Sequence, residues 1–395
     1  MQRRGVVHHR PDAVRRRRRQ ALTRSHLPGA PPGAPGPPVA QSKSTGSLQI
    51  GAAPVRRHTR AATAATLALA CSLALAACGG GDDSDDELGP DAQAVAAGAR
   101  LASTWPLTGL PVTGKQEAAQ THPVMVLKMD NTYASSPQMG LGEADMVVEE
   151  LVEGGMTRLA VFYYSQVPGD VGPVRSMRAS DIGIVSPVDA DVVTSGAAQV
   201  TLNRIGNAGI TYFTEGDKGF YRDSSRSAPY NLFTDMAQTA SLAKTDEAAR
   251  PADYLPWGDD AALATAKPAS TISASFSGGH TTNWTFADGR YTNENTYAAQ
   301  GDEFPADSVL VLRVKVGDAG YTDPAGNPVP ETKFTGKGQA LLFHDGKVLR
   351  GQWTKNSLEG ALQLTGEGGE TMTVPAGHTW IELVPATGGS VRFQK

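Results

Sequence analysis

The sequence predicts an α/β (α+β) N-terminal domain over residues 105–235, followed by a smaller, mainly antiparallel β domain over residues 270–395. Three observations lead to this prediction. Strand-like runs alternate with helix-like segments in the first region, which is typical of α/β folds. Short alternating runs separated by Asp-Gly and Gly-Gly turns fill the second region, which is typical of antiparallel sheets. The 44 glycines and 26 prolines among 395 residues also indicate a turn-rich chain.

Buried strands and short helices account for the first region. Residues 124–129 form a mostly apolar run between Pro123 and Asp130, which predicts a buried strand. Two further runs on either side of the Gly154-Gly155 pair predict a hairpin. In chain order, the predicted elements are strands at 124–129, 145–152 and 156–164, a helix at 179–185, a strand at 192–194 and a helix at 197–205 that ends at Gly206.

A junction separates the two predicted domains. Residues 236–269 are rich in Ala, Asp and Pro and contain one helix-like segment at 237–249. Beyond the junction, short alternating runs are joined by turns such as Asp288-Gly289 and Asp345-Gly346, which predicts an antiparallel sheet. The predicted strands lie at 273–277, 282–286, 290–293, 308–316, 339–344, 347–353, 370–374 and 379–384.

The first 54 residues are basic and show no apolar periodicity. A row of arginines at 15–19 precedes a Pro/Gly-rich stretch at 28–38, so residues 1–54 are predicted to be disordered. This tract is either a nucleic-acid-binding arm or the result of a translation start assigned too far upstream. We favour the second interpretation, with Val55 as an alternative start, because a secretory signal follows.

Residues 55–77 have the layout of a lipoprotein signal peptide. Arg56, Arg57 and Arg60 precede a short apolar run, and the sequence then reads Leu75-Ala76-Ala77-Cys78. This motif resembles a bacterial lipobox, which implies that Cys78 becomes the acylated, palmitate-bearing first residue of the mature chain. We therefore expect a protein lipid-anchored to the extracytoplasmic face of the bacterial cytoplasmic membrane, with residues 78–104 as a flexible acidic tether.

Charge and cysteine content exclude several classes of function. Residues 1–77 hold 13 of the 36 Lys and Arg residues and one acid, Asp12, so the remaining chain is acidic. An acidic mature chain is not expected to bind nucleic acid, because phosphate neutralisation requires clustered cations. The two cysteines are Cys71, inside the signal, and Cys78. We therefore expect no disulfide and no cysteine-based metal site.

Four arginines predict an anion site in loops at strand ends. Arg175 and Arg178 are three residues apart behind Gly172-Pro173, at the start of a predicted helix. Both guanidinium groups and free backbone N–H groups can then face one anion, and Arg222 and Arg226 can close the same site. Alternatively, these arginines form structural ion pairs with nearby acids. The predicted ligand-binding residues are Arg175, Arg178, Arg222, Arg226 and Asn131.

Acidic residues near the same strand ends are candidates for catalysis. Asp130, Glu143 and Asp145 are placed to hold a divalent cation or to act as acid and base. Alternatively, they are a solvated or ion-paired strand end. Phosphate-loop and dinucleotide-binding motifs are absent, and the scattered histidines of the second region do not predict a zinc site. We therefore expect no cofactor and no metal.

Several motifs together resemble a known family. The segment Gly172-Pro173-Val174-Arg175-Ser176-Met177-Arg178 is the most distinctive, and others lie at 123–131, 140–145, 152–158, 220–231, 351–355 and 375–381. In this order they resemble the YerB-type bacterial lipoprotein family over residues 105–390. One departure is Tyr230, where we expect His. The resemblance implies a two-domain extracytoplasmic lipoprotein and names no reaction.

Three functions are compatible with these observations. The first is a membrane-anchored lipoprotein that binds an anionic cell-envelope ligand through the arginines, with an anionic envelope polymer or an envelope protein as its expected partner. The second is an envelope glycopolymer or phosphate-handling transferase or hydrolase, because an acidic strand end followed by an Arg-bearing loop is similar in arrangement to the LytR-CpsA-Psr transferases. The third is a non-catalytic scaffold for envelope proteins. The sequence leaves open whether the protein is an enzyme.

Overall fold

The computed structural model describes residues 103–114, 116–259 and 261–395, which belong to one compact unit. The predicted extension at 1–54, the signal peptide at 55–77, Cys78 and most of the tether lie outside the described residues. No helix within the described ranges is long and apolar enough to cross a membrane.

Strands make up most of the regular structure. The α-helices are α1 (Asp181–Val185), α2 (Gln199–Asn207) and α3 (Met236–Ala243), and short 3-10 helices lie at Tyr133–Ser135, Leu141–Glu143, Glu153–Gly155, Ser186–Val188 and Ala261–Thr265. The strands are β1 (Met125–Asn131), β2 (Met146–Leu151), β3 (Thr157–Tyr163), β4 (Asp170–Val171), β5 (Asp191–Val193), β6 (Tyr212–Phe213), β7 (Phe220–Arg222), β8 (Leu232–Asp235), β9 (Trp257–Gly258), β10 (Lys267–Pro268), β11 (Thr271–Ser275), β12 (Thr281–Ala287), β13 (Arg290–Asn293), β14 (Ser308–Thr322), β15 (Pro328–Lys333), β16 (Gly336–His344), β17 (Lys347–Lys355), β18 (Gln363–Gly366), β19 (Val374–Pro375), β20 (Thr379–Pro385) and β21 (Ser390–Gln394).

A mixed sheet runs through both halves of the described chain. Its strands follow the order β10-β17-β16-β14-β20-β2-β3-β1-β5-β6, with β15 paired to β14 and β18 paired to β17. The two halves join where β20 pairs in parallel with β2, and this register places Glu382 beside Glu149. The second half also forms a four-stranded antiparallel sheet in the order β13-β12-β11-β21.

The first half contains more strand and less helix than the predicted α/β domain. The helices expected at 179–185 and 197–205 do form, but α1 has only five residues and α2 nine. β3 is antiparallel to both β2 and β1. β2 and β3 have to be antiparallel because the turn at Gly154-Gly155 that joins them is too short for the helical crossover that parallel strands require. The α/β prediction for this half is therefore corrected to a mainly β structure.

Apolar side chains cover both faces of the mixed sheet. Val126 on β1 packs with residues of α1 and α2, such as Ile182 and Ile205, on what we call the helix face. Leu127 packs with Trp284 and other residues of the four-stranded sheet on what we call the sandwich face. Because both faces are buried, the strand predicted at 124–129 is almost continuously apolar instead of alternating.

Candidate functional site

Four strands of the mixed sheet run in the same direction. β1 and β2 are both antiparallel to β3, while β20 is parallel to β2 and β14 is parallel to β20. β1, β2 and β20 end near the level of Asn131, whereas β14 continues to Thr322. Loops at strand ends are common positions for binding residues, and several of the predicted site residues lie in these loops.

Arg175 lies at the end of β1 and pairs with Asp130. Its Nε is 2.9 Å from Oδ2 of Asp130, and its Nη1 donates to the carbonyl oxygen of Pro229 at 3.3 Å. The guanidinium group also stacks over the ring of Tyr230, 5.1 Å from the ring centroid. The side chain is 20% exposed. Arg175 thus ties the loop around Pro229 to the end of β1.

Arg178 is largely shielded from solvent by its own partners. Its guanidinium group donates to both carboxylate oxygens of Glu153 and to the carbonyl oxygens of Ser176 and Met177, and its side chain is 9% exposed. Arg158 also pairs with Glu153, and burial together with the nearby charge of Arg178 lowers the pKa of Arg158 to about 10. This cluster holds the loops after β2 and before α1 together.

The other two predicted arginines fix a surface loop. Arg222 forms an exposed ion pair with Glu215. Arg226 pairs with Asp223 at 3.2 Å, and its terminal nitrogens donate to two backbone carbonyls within residues 135–137. All four predicted arginines therefore have a carboxylate partner.

The predicted acidic residues are also separated. Asp130 ends β1, whereas Asp145 precedes β2 at the opposite end of the sheet, roughly 17 Å away along the strands. Asp145 accepts hydrogen bonds from the backbone N–H groups of Tyr164 and Ser165, and Glu143 lies in the 3-10 helix before it. Asp130 and Asp145 thus do not form an acid–base pair. Among the described residues, no three His, Cys, Asp or Glu side chains are grouped as a metal site would require.

Sequence analysis missed a buried ion cluster on the helix face. Nζ of Lys128 lies 2.9 Å from Oε1 of Glu150 and 2.7 Å from Oδ1 of Asp181, and all three side chains are fully buried. Burial opposes the charge on Lys128, but Asp181 and Glu150 outweigh it and raise the lysine pKa. The only signal in the sequence was a lysine within an apolar run.

A second buried cluster surrounds Glu149 on the sandwich face. Burial opposes ionisation of Glu149, but the hydrogen bond and charge of His280 outweigh it and lower the glutamate pKa. Burial and the charge of Glu149 raise the pKa of the adjacent Glu382 well above its ordinary value. The carboxylate of Glu149 accepts hydrogen bonds, at 2.7 to 3.2 Å, from Asn131, Thr157, His280, Thr282 and Trp380. The predicted ligand residue Asn131 thus belongs to an internal network.

A groove of about 600 Å³ opens on the sandwich face, and sequence analysis did not predict it. Its floor carries four cations from three adjacent strands, and β21 and the loop at 386–390 form one wall. No acidic side chain lines it, and within the described ranges none of the four cations forms an ion pair. We call it the basic groove; its cations are Arg313 and Lys315 on β14, Lys337 on β16 and Arg350 on β17.

Strand alternation and register explain why these cations share one face. Leu341 belongs to the sandwich-face core, and Arg350 is its partner on the neighbouring strand. Nη2 of Arg313 donates to the carbonyl oxygens of Ala386 and Gly389 at 3.0 and 2.9 Å, which aims this side chain at the wall. Burial lowers the pKa of Arg313, and no carboxylate offsets that effect.

A second hollow of about 600 Å³ adjoins the basic groove. The two share Lys337, Gly338 and Gln339 as a common border. The second hollow is lined mainly by glutamine side chains and bare backbone, and we call it the amide hollow. A Cβ at Gly351 would lie 2.2 Å from the carbonyl oxygen of Thr365, so only glycine fits there. Its remaining lining residues are Gly351, Gln352, Gly366 and Glu367.

Family models match both halves of the chain. The model for the N-terminal domain of a protein of unknown function (DUF3048) matches residues 107–249, and the model for its C-terminal domain matches residues 271–381. Together they cover more than half of the chain. The chain belongs to this family. Two successive DUF3048 models fit a two-domain organisation.

A curated relative and a solved structure agree with the DUF3048 assignment. The chain is 27% identical over 295 residues to the Bacillus subtilis (strain 168) protein titled "Putative lipoprotein YerB", covering 71% of this chain and 86% of the relative. It is also similar to the crystal structure of YerB from Bacillus subtilis, with a TM-score of 0.60 and 21% identity over 73% of this chain and 99% of that chain. The YerB-type resemblance predicted from the motifs is confirmed.

Proposed function

We propose that this protein is a lipoprotein, anchored through Cys78 to the extracytoplasmic face of the membrane, that binds an anionic polymer of the cell envelope in the basic groove. The lipobox and the similarity to a protein titled a lipoprotein support the anchor. One observation carries the ligand class: four cations line a single groove without an acidic side chain among them.

Uncompensated cations in a concave surface favour an anionic ligand for an electrostatic reason. Arg313 and Lys315 are two residues apart on one strand, so their backbones are roughly 7 Å apart and their charges repel each other. A bound anion removes that repulsion. An arginine supplies a fork that matches phosphate and carboxylate, and a lysine supplies a mobile point charge. The groove offers two residues of each kind.

The arginines singled out by the sequence are less suited to this role. A ligand anion at Arg178 has to displace the buried carboxylate of Glu153, and at Arg175 it competes with Asp130. The transferase alternative also loses support, because the pairing of Asp130 with Arg175 leaves no acid–base pair at the end of β1. The basic groove requires no such displacement.

Titration with sodium polyphosphate tests the proposal. We use the detergent-solubilised full chain purified from membranes, low salt and isothermal titration calorimetry. Lys337→Glu should weaken binding roughly ten- to a hundred-fold, because a lost charge-assisted contact costs about 1.5–3 kcal/mol. The salt dependence of binding should also become shallower, since fewer counterions are released.

A matched control separates the groove from overall charge. Arg392 lies on the wall strand β21, but it is exposed, whereas its neighbours Val391 and Phe393 pack inward. Arg392→Glu makes the same charge change and should leave the affinity within about twofold. Equal weakening by Lys337→Glu and Arg392→Glu would mean that polyphosphate senses net charge only. Absence of binding by the parent protein at low salt would contradict the proposed function.

A further inference from the structure

We infer that the polymer bound by the basic groove consists of polyol units joined by phosphodiesters. In this arrangement the cations of the groove hold the phosphates, and the adjoining amide hollow holds the hydroxyl-bearing units. The inference rests on the proposed function and adds the chemical class of the polymer. It follows from what lies next to the cations and from the order of cations and amides along the strands.

The amide hollow is chemically unsuited to a second phosphate. The side chains of Gln339 and Gln352 each offer an N–H donor and a carbonyl acceptor, and a hydroxyl group is likewise both donor and acceptor. A phosphate has only acceptor oxygens at full ionisation, so it leaves the glutamine carbonyls unpaired, and the carboxylate of Glu367 repels it. A hydroxyl-bearing unit satisfies both halves of each amide.

Register places Lys337 and Arg350 on either side of a pair of glutamines. Gln339 and Gln352 are direct partners across β16 and β17. Lys337 lies two residues before Gln339 on β16. Arg350 lies two residues before Gln352 on the antiparallel strand β17, which places it beyond the glutamine pair. Each step is roughly 7 Å along the strands. Along β16 and β17 the order is cation, amide pair, cation, with Arg313 of β14 beside Gln339, and we assign phosphates to the cations and a polyol unit to the amide pair.

The shape of the site favours a soluble polymer over a membrane surface. The cations lie on the floor of a groove whose wall is β21 and the loop at 386–390. A single flexible chain can enter such a groove, whereas a planar bilayer meets the wall before the floor. The headgroup of phosphatidylglycerol contains the same glycerol phosphate chemistry, so the test has to distinguish the two sources.

The test compares two soluble polymers and one variant that keeps every charge. Titrations of the detergent-solubilised full chain use poly(glycerol phosphate) and sodium polyphosphate at equal phosphate concentration. Gln352→Met should lower the affinity for poly(glycerol phosphate) about fivefold, because one lost hydrogen bond costs about 1 kcal/mol. The affinity for polyphosphate should stay unchanged. Gln394→Met is the control, because Gln394 is exposed on β21 outside both hollows. Lys337→Glu should weaken both polymers.

Each other outcome has a distinct meaning. If polyphosphate binds as well as poly(glycerol phosphate) and Gln352→Met changes neither, the inference is overturned while the proposed function stands. If neither polymer binds, the proposed function itself fails. If phosphatidylglycerol vesicles bind in a Lys337-dependent manner and the soluble polymer does not, the groove contacts a membrane surface and the polymer inference is wrong.

Discussion

Glu149 and Glu382 lie side by side on adjacent parallel strands, and both side chains are fully buried. Two ionised carboxylates in one buried site repel each other strongly, so one of them keeps its proton. Glu149 carries the charge, because five donors and the charge of His280 favour its ionised form. The pKa of Glu382 is raised well above its ordinary value, so Glu382 donates to Glu149. This pair and His280 join the mixed sheet to the four-stranded sheet.

Replacing the protonated carboxyl by an amide should be tolerated. Near pH 7 we expect the free energy of unfolding of Glu382→Gln to lie within about 1 kcal/mol of that of the parent or to exceed it. The amide still accepts a hydrogen bond from Trp284 and donates one to Glu149. The advantage of Gln should grow as pH rises, because the unfolded parent ionises Glu382 above 4.5 and the folded parent does not. Urea unfolding at several pH values measures this difference.

The neighbouring substitution should have the opposite effect and serves as its contrast. Glu149→Gln removes the negative charge that His280 faces and places an NH2 group, itself a donor, among five hydrogen-bond donors. We therefore expect the free energy of unfolding to fall by about 3 kcal/mol. If the two variants lose equal stability, the assignment of the proton to Glu382 is wrong.

The Glu149–His280 pair should make stability depend on pH in both directions. The pKa of His280 is raised from 6.5 by Glu149 against the effect of burial. The contribution of protonated His280 to the free energy of unfolding is therefore complete below pH 6.5. It is lost as pH rises through the folded-state pKa, by at most about 1.4 kcal/mol per pH unit. The pKa of Glu149 is lowered from 4.5, so its contribution is lost as pH falls below that value. His280→Gln should flatten the alkaline loss in urea unfolding; an unchanged slope would assign it to other groups.

Strand positions could be predicted because apolar runs are local signals. The run at 124–129 became β1, and the runs around Gly154-Gly155 became β2 and β3. The sharing of one sheet by both halves could not be predicted. It depends on the pairing of β2 with β20, whose residues Glu149 and Glu382 are far apart in sequence and offer no local signal of contact.

Site residues were harder to predict, because a charge shows its role only through its partner. Arg178 stood in a distinctive motif, yet its partner Glu153 lies 25 residues earlier. The cations of the basic groove showed the reverse problem. Arg350 lies within the predicted strand at 347–353 and Lys337 just before the one at 339–344, and only the pairing of β16 with β17 brings them to one groove.

The lipid anchor remains a prediction from the lipobox and can be tested directly. Cys78→Ala removes the thiol that accepts the lipid, so the protein should leave the membrane fraction and appear in the medium. Fractionation followed by immunoblotting measures the distribution, with Cys71→Ala as the control because that cysteine lies inside the predicted signal. A Cys78→Ala protein that stays in the membrane fraction would show that another segment anchors it.

Arg178 and Arg222 should respond differently to lysine, because their ion pairs differ in burial. The side chain of Arg178 is 9% exposed and binds Glu153 through two nitrogens and two backbone carbonyls through a third, whereas that of Arg222 is 43% exposed. Lysine cannot reproduce the planar fork, so Arg178→Lys should lower the free energy of unfolding by about 2–3 kcal/mol. Arg222→Lys should change it by less than about 1 kcal/mol, because exposed pairs contribute little.

Urea unfolding and polyphosphate titration of both variants distinguish a structural Arg178 from a ligand-binding one. A structural arginine loses stability while the basic groove keeps its affinity, since Arg178 does not line that groove. If Arg178→Lys instead has the same free energy of unfolding as the parent and loses polyphosphate binding, the ligand displaces Glu153 from Arg178. The anion site would then lie at the arginines that the sequence first indicated, and the assignment to Arg313, Lys315, Lys337 and Arg350 would be wrong.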